Sequence, residues 1–177
     1  IINSAACYVI AAMVCMTNTS AVSLALEGKN IWIIKSLPIP PKVLYDSYLM
    51  TNLTFTVPTS VICSVLFSIA LKASFSGTIL LILRPLTSAL LTATAGIFIG
   101  NRMAYYNWQD ETHLVKQSMM SFLGLLGGSA IIFLCGVIAN IGILPFSANT
   151  ITLIFNVLFV LLAALIYRNE INRPVKE

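Results

Sequence analysis

The residues able to do chemistry are few, and where they fall narrows the function. The 177 residues hold one histidine, His113, six acids and ten lysines and arginines. A metal centre needs His, Cys or carboxylate ligands grouped at short spacings. The four cysteines, Cys7, Cys15, Cys63 and Cys135, instead lie scattered in apolar runs, which predicts buried free thiols and no disulfide framework. His113 stands in a polar segment, away from any nucleophile or ligand set, and no glycine-rich loop ends in Gly-Lys-Ser/Thr. The chain is therefore expected to be no enzyme and to bind no cofactor of its own. The acids Glu27, Asp46, Asp110, Glu111, Glu170 and Glu177 all fall at or beyond the ends of apolar runs. That placement argues against an ion-coupled carrier, which holds its proton or sodium on an intramembrane carboxylate. One charge lies inside an apolar run: Arg84.

These residues are embedded in a chain that is 58% apolar and 9% charged, with its charges in islands. Such a chain cannot cover itself with polar surface in water. A hydrocarbon core of about 30 Å takes roughly 20 apolar residues of helix. Five runs qualify: Asn3 to Leu26, Tyr48 to Leu71, Thr78 to Gly100, Ser118 to Leu144 and Thr150 to Tyr167. None alternates as a barrel strand would, and helices satisfy their own backbone groups where lipid cannot. The expected fold is all-α: one polytopic transmembrane helical bundle over residues 1–177, with about five spans.

Lysine and arginine in short loops set the orientation, because the cation-rich side stays in the cytoplasm. With the first span running inward, Lys29, Lys35, Lys42, Arg102, Lys116, Arg168, Arg173 and Lys176 are cytoplasmic, and only Lys72 lies in an outer loop. This predicts a multi-pass protein of the cell membrane, N-terminal end outside and C-terminal tail cytoplasmic. The net charge of +4 is then a topological bias and not a nucleic-acid patch. The chain begins at Ile1, already apolar and with no basic segment ahead, and reads as the C-terminal portion of something longer. A cleaved signal peptide is the competing reading of the first run, with Ala21, Ser23 and Ala25 resembling a cleavage site.

The most charged stretch is LEGKNIWIIKSLPIPPK, Leu26 to Lys42. At helical spacing Leu26, Ile33, Ile34 and Leu37 share one side, and Gly28, Lys29, Lys35 and Ser36 the other. Pro38, Pro40 and Pro41 must end the helix, since proline lacks the donor and clashes with the preceding turn. The result is a short cytoplasmic helix and a stiff turn, able to pass force to a partner. A basic juxtamembrane loop, with lysines at lipid headgroups and Trp32 as interface anchor, accounts for the same residues. A second cytoplasmic segment, residues 101–117, carries NWQDETHLVKQS up to Ser118.

Both strings resemble bacterial ABC-transporter permeases of the export type, found mainly in Gram-positive bacteria. The first match runs through Ser23, Glu27, Gly28, Lys29, Asn30, Trp32, Lys35, Ser36, Leu37, Pro38, Ile39 and Pro41, and the second through Trp108, Glu111, Val115, Lys116, Gln117 and Ser118. The resemblance implies a membrane-spanning subunit whose work is driven by ATP and magnesium held in a separate cytoplasmic ATPase. Residues 27–42 would be the coupling element, with Glu27, Gly28, Lys29, Asn30, Trp32, Lys35 and Pro38 as its contacts. Trp108, Glu111, Lys116 and Gln117 are the candidates for a second ATPase contact. Such permeases commonly carry six helices per half; the five spans here fit a fragment, completed by a second half or a second copy. The competing class is a non-transporting sensor or assembly scaffold with a soluble cytoplasmic partner.

Two features bear on the bundle interior. Ser88, Thr92, Gly96 and Gly100 recur every four residues, as do Gly124, Gly128 and Gly136 with one gap. Small-residue stripes let helices approach where lipid gives no hydrophobic drive to associate, so the third and fourth spans are expected to face inward. Arg84 is expected to snorkel toward the outer headgroups; the alternative is contact with an anionic substrate or lipid headgroup. Asn52, Thr54, Thr56 and Thr59 give the second span a polar face, with hydroxyls free to bond their own backbone.

Overall fold

Apolar runs with no interior partners leave the backbone one way to satisfy itself out of water, and every regular element described in the computed structural model is helical. The structure describes residues 2–37, 39–103, 118–141 and 147–172; for residues 2–4, 29, 34 and 35 it describes the backbone alone. Five helical stretches are long and apolar enough to cross a membrane.

The first stretch is two helices, α1 (Ile2–Cys15) and α2 (Ser20–Leu26). A 3-10 turn at Gly28–Asn30 leads into the short α3 (Ile31–Ser36). Then come α4 (Pro41–Ala70) and α5 (Phe75–Met103). The fourth stretch, α6, covers Met119–Ile141 and contains a π-helical turn at Leu123–Gly127; the fifth, α7, is Ala148–Ile171. Ser118 and Ser147 cap α6 and α7, accepting from the amides of Ser121 (3.2 Å) and Thr150 (3.3 Å).

The central helix is α5, which packs against α1, α2, α4 and α7, while α6 leans mainly on α1. The expectation that the third and fourth spans both face inward therefore holds for the third alone. Phe122, Ile131, Phe133, Leu134 and Ile141 of α6 are exposed, and one glycine-bearing face turns in.

The first span is present but is not one continuous helix. The helix stops at Cys15 and restarts at Ser20, across Met16, Thr17, Asn18 and Thr19. Short hydroxyl and amide side chains offer the backbone local bonds that compete with the helix. Here Thr17 Oγ1 donates to the Val14 carbonyl (2.8 Å), and Asn52 Nδ2 of α4 donates to the Thr17 carbonyl (3.0 Å) and to Thr19 Oγ1 (3.2 Å). The Ser20 hydroxyl lies 2.8 Å from both Asn18 Oδ1 and the Ala93 carbonyl of α5. Interrupted backbone at membrane depth needs polar partners, and α4 supplies one to the Thr17 carbonyl, although Met16, Thr17 and Thr19 are themselves exposed.

The second span begins at Pro41, ahead of the expected Tyr48, because proline fits the first helical position, where no amide donor is required.

Candidate functional site

Helix alternation puts the ends of α2, α5 and α7 and the start of α4 together at one end of the bundle, and three polar links join them there. The Tyr48 hydroxyl donates to Glu27 Oε1 (3.2 Å), and Tyr167 donates to Asp46. Asn101 Nδ2 donates to Glu170 Oε2 at 3.0 Å, with Arg102 Nη2 at 3.7 Å from Glu170 Oε1. Glu170 is 1% exposed, a buried acid that its terminal position in an apolar run does not reveal. Arg102 also lies over the Phe98 ring, 3.6 Å from its centroid.

The segment that begins at Glu27 emerges from this end. Leu26 closes α2, and Gly28 takes φ 53, a left-handed conformation that a side chain would strain and that commonly ends helices. The chain then makes the 3-10 turn and α3, so the single helix expected over 26–37 is two short pieces with a reversal between them. Leu37 turns extended, as the residue before a proline must, and Pro40 and Pro41 start α4. Asn30 is exposed and Trp32 is 64% exposed, with Ile33, Leu37 and Ile39 also open. The Lys29 and Lys35 side chains, Pro38, and the second candidate contact at Trp108, Glu111, Lys116 and Gln117 lie outside the described residues, as does His113.

The small-residue stripes of α5 and α6 converge on the first span. A Cβ added at Gly96 would fall 2.3 Å from Ser20 Oγ and 2.9 Å from the Ala21 amide nitrogen; one at Gly100 would fall 2.8 Å from the Ala21 carbonyl oxygen. Gly124 faces Ala21, Gly128 faces Thr92 and Cys15, and Gly136 faces Tyr8, where an added Cβ would meet the ring base at 2.9 Å. Ser88 and Thr92 are buried and bond their own helix at the Pro85 and Ser88 carbonyls.

Arg84 is the main departure from expectation. It does not snorkel: its exposure is 0%. The helix begins at Phe75, which places Arg84 about 13.5 Å along α5 at 1.5 Å per residue, and neighbouring helices close over it there. Three rings surround the guanidinium, with Cζ 4.2 Å from the Phe159 centroid, 4.6 Å from Tyr8 and 5.8 Å from Phe155. Nη1 donates to Asn156 Oδ1 at 3.3 Å, and the Thr87 hydroxyl lies 3.0 Å from the same oxygen. The Tyr8 hydroxyl is 3.1 Å from Thr152 Oγ1, and Cys135 also approaches the guanidinium. Arg84 Nε, Arg84 Nη2 and Asn156 Nδ2 are buried with no hydrogen-bond partner among the described residues. Three aromatic faces offset part of the cost of burying a charge, but none of them is an anion. The partners Tyr8, Asn156 and Phe159 come from helices far apart in the chain, so nothing in the linear sequence marks this cluster beyond the depth of Arg84.

On α4 the polar face divides. Asn52, Thr56, Ser60 and Ser64 turn inward, with the Ser64 hydroxyl donating to the Leu81 carbonyl at 2.7 Å. Thr54 and Thr59 face out and bond the carbonyls of Met50 and Phe55 in their own helix. None of the four cysteines forms a disulfide; two are buried and two half-buried. No group of three or more metal-ligating side chains occurs among the described residues.

Comparison of the chain with protein-family models, with curated proteins and with solved structures gives no match.

Proposed function

We propose that this chain is a membrane-spanning permease subunit of an ATP-driven exporter, coupled to a separate ATPase that holds ATP and magnesium. It sits in the bacterial cell membrane with the charged end cytoplasmic, the N-terminal end outside and the C-terminal tail inside, and a second half or second copy completes the path. The observation that carries the reading is α3: a short helix between two spans at the charged end, set off by the left-handed Gly28 and the prolines, that presents Trp32 outward. A helix with that placement has an aromatic contact for a soluble partner and a direct chain connection to the helices on either side. Substrate movement also needs a span that can rearrange, and the interruption at residues 16–19 supplies a point of weakness within the bundle.

The test is co-purification of the full-length protein with the ATPase encoded nearest to it, wild type against a Glu27→Ala, Trp32→Ala, Lys35→Ala triple variant. The expected result is a stable complex with the wild type and loss of the complex in a variant that still inserts and migrates as a folded protein. No complex with either protein overturns the exporter reading in favour of a sensor or scaffold. A complex unchanged in the variant removes α3 as the coupling element and returns Trp32 to a membrane anchor.

A further inference from the structure

We infer that Arg84 and Asn156 form an oxyanion-binding site inside the bundle, for a carboxylate or phosphate group. The donor inventory carries this. Around the guanidinium, Nη1 is used by Asn156 Oδ1, and that same bond fixes the amide orientation, because two donors cannot face each other. Asn156 Nδ2 is therefore a donor as well, and it is unpartnered together with Arg84 Nε and Nη2.

Nε and Nη2 lie on one edge of the planar guanidinium and point the same way. That edge is the fork which binds the two oxygens of a carboxylate or phosphate in parallel, and it is the edge left unpartnered. An arginine keeps its charge in proteins, so the site holds a cation and three donors that no oxygen acceptor among the described residues meets, with only the weak thiol of Cys135 nearby. Among the described residues no acid supplies one: Glu27, Asp46 and Glu170 are engaged at the opposite end of the bundle. The residues between α6 and α7, GILPF, contain none. A ligand oxyanion would match these donors.

The surroundings suggest how a ligand arrives. Arg84, Asn156, Tyr8 and Phe159 are all buried, so the site is occluded as it stands. Tyr8 has one face on the guanidinium and also lines an apolar groove of ≈ 310 Å³ between α1 and α6, beside Val9, Phe133 and Val137. Gly136 lets α6 press directly on the Tyr8 ring base. The ring is thus the partition between groove and cation, and its rotation would connect them. As a substrate site this inference rests on the transport reading, but its test contains no ATPase, so the two can fail separately.

The experiment measures thermal unfolding and equilibrium binding of the purified full-length protein with inorganic phosphate and with dodecyl phosphate, using a neutral detergent alone as baseline. The expected result is stabilisation by at least one of the two phosphates. Its dissociation constant should rise at least about tenfold in Arg84→Met, which removes the charge. Arg84→Lys keeps a positive charge and loses the fork, and should bind more weakly than wild type. Binding of dodecyl phosphate alone identifies a lipid-like headgroup as the source, and equal binding of inorganic phosphate identifies a soluble oxyanion. Absence of binding by either phosphate, or unchanged binding in Arg84→Met or Arg84→Lys, overturns the site.

Discussion

Around α2 the bundle closes backbone to backbone, and around Arg84 it closes with side chains laid on a charge. At the first place Gly96 and Gly100 bring α5 against Ser20 and Ala21, and the nearby acid Glu170 has Asn101 and Arg102. At the second, three aromatic rings and one amide oxygen surround a cation that has no acid. The difference is in the sign of what remains. The charged end balances its acids with donors and so reads as fixed architecture. The Arg84 region has donors in excess among the described residues, an arrangement that costs free energy unless an acceptor meets them.

Four substitutions put this contrast at risk. The largest effect is expected for Gly96→Ala, whose Cβ would lie 2.3 Å from Ser20 Oγ, 2.4 Å from Asn18 Oδ1 and 2.9 Å from a backbone nitrogen. Overpacking against backbone should cost about 3 kcal/mol, read as a shift in denaturant unfolding in mixed micelles. Gly136→Ala meets only the Tyr8 side chain and should cost less; an equal loss would erase the distinction between a backbone seam and a side-chain cage.

Glu170→Ala comes next. It removes the acceptor of the buried Asn101, a loss of about 2 kcal/mol, most of it from the unsatisfied amide. Arg102 is 38% exposed and recovers water, so its ion pair adds little. The smallest effect on stability is expected for Arg84→Met. Replacing an uncompensated buried charge with an apolar side chain of similar length is about neutral or stabilising, within about 1 kcal/mol in the same unfolding assay. Should Arg84→Met unfold the protein as strongly as Glu170→Ala, the guanidinium would be a structural pillar and the two regions would be alike.

Most of the architecture could be read along the chain because lipid constrains it so strongly. Apolar length and the need to satisfy backbone groups located all five spans, and the prolines marked where α3 gives way to α4. The break at residues 16–19 was missed for a physical reason. The polar segment Thr17-Asn18-Thr19-Ser20 is short enough between apolar runs to pass as helix, and its partners are residues far along the chain: the Asn52 amide donates to the Thr17 carbonyl and the Ala93 carbonyl accepts from the Ser20 hydroxyl. The small-residue stripes were visible as stripes, but their partner was not: helical periodicity gives a face and never names what covers it. Both cover the first span.

By itself the sequence determined that this chain is a bundle of membrane-length helices, with its acids at their ends and one arginine within, because hydrocarbon accepts almost no other arrangement. Only the tertiary structure decided what that arginine is. Depth along one helix is compatible with snorkelling or burial, and the choice depends on whether neighbouring helices bring rings and an amide to the same level. Tyr8, Phe159 and Asn156 do so from α1 and α7, and they leave the fork of Arg84 open.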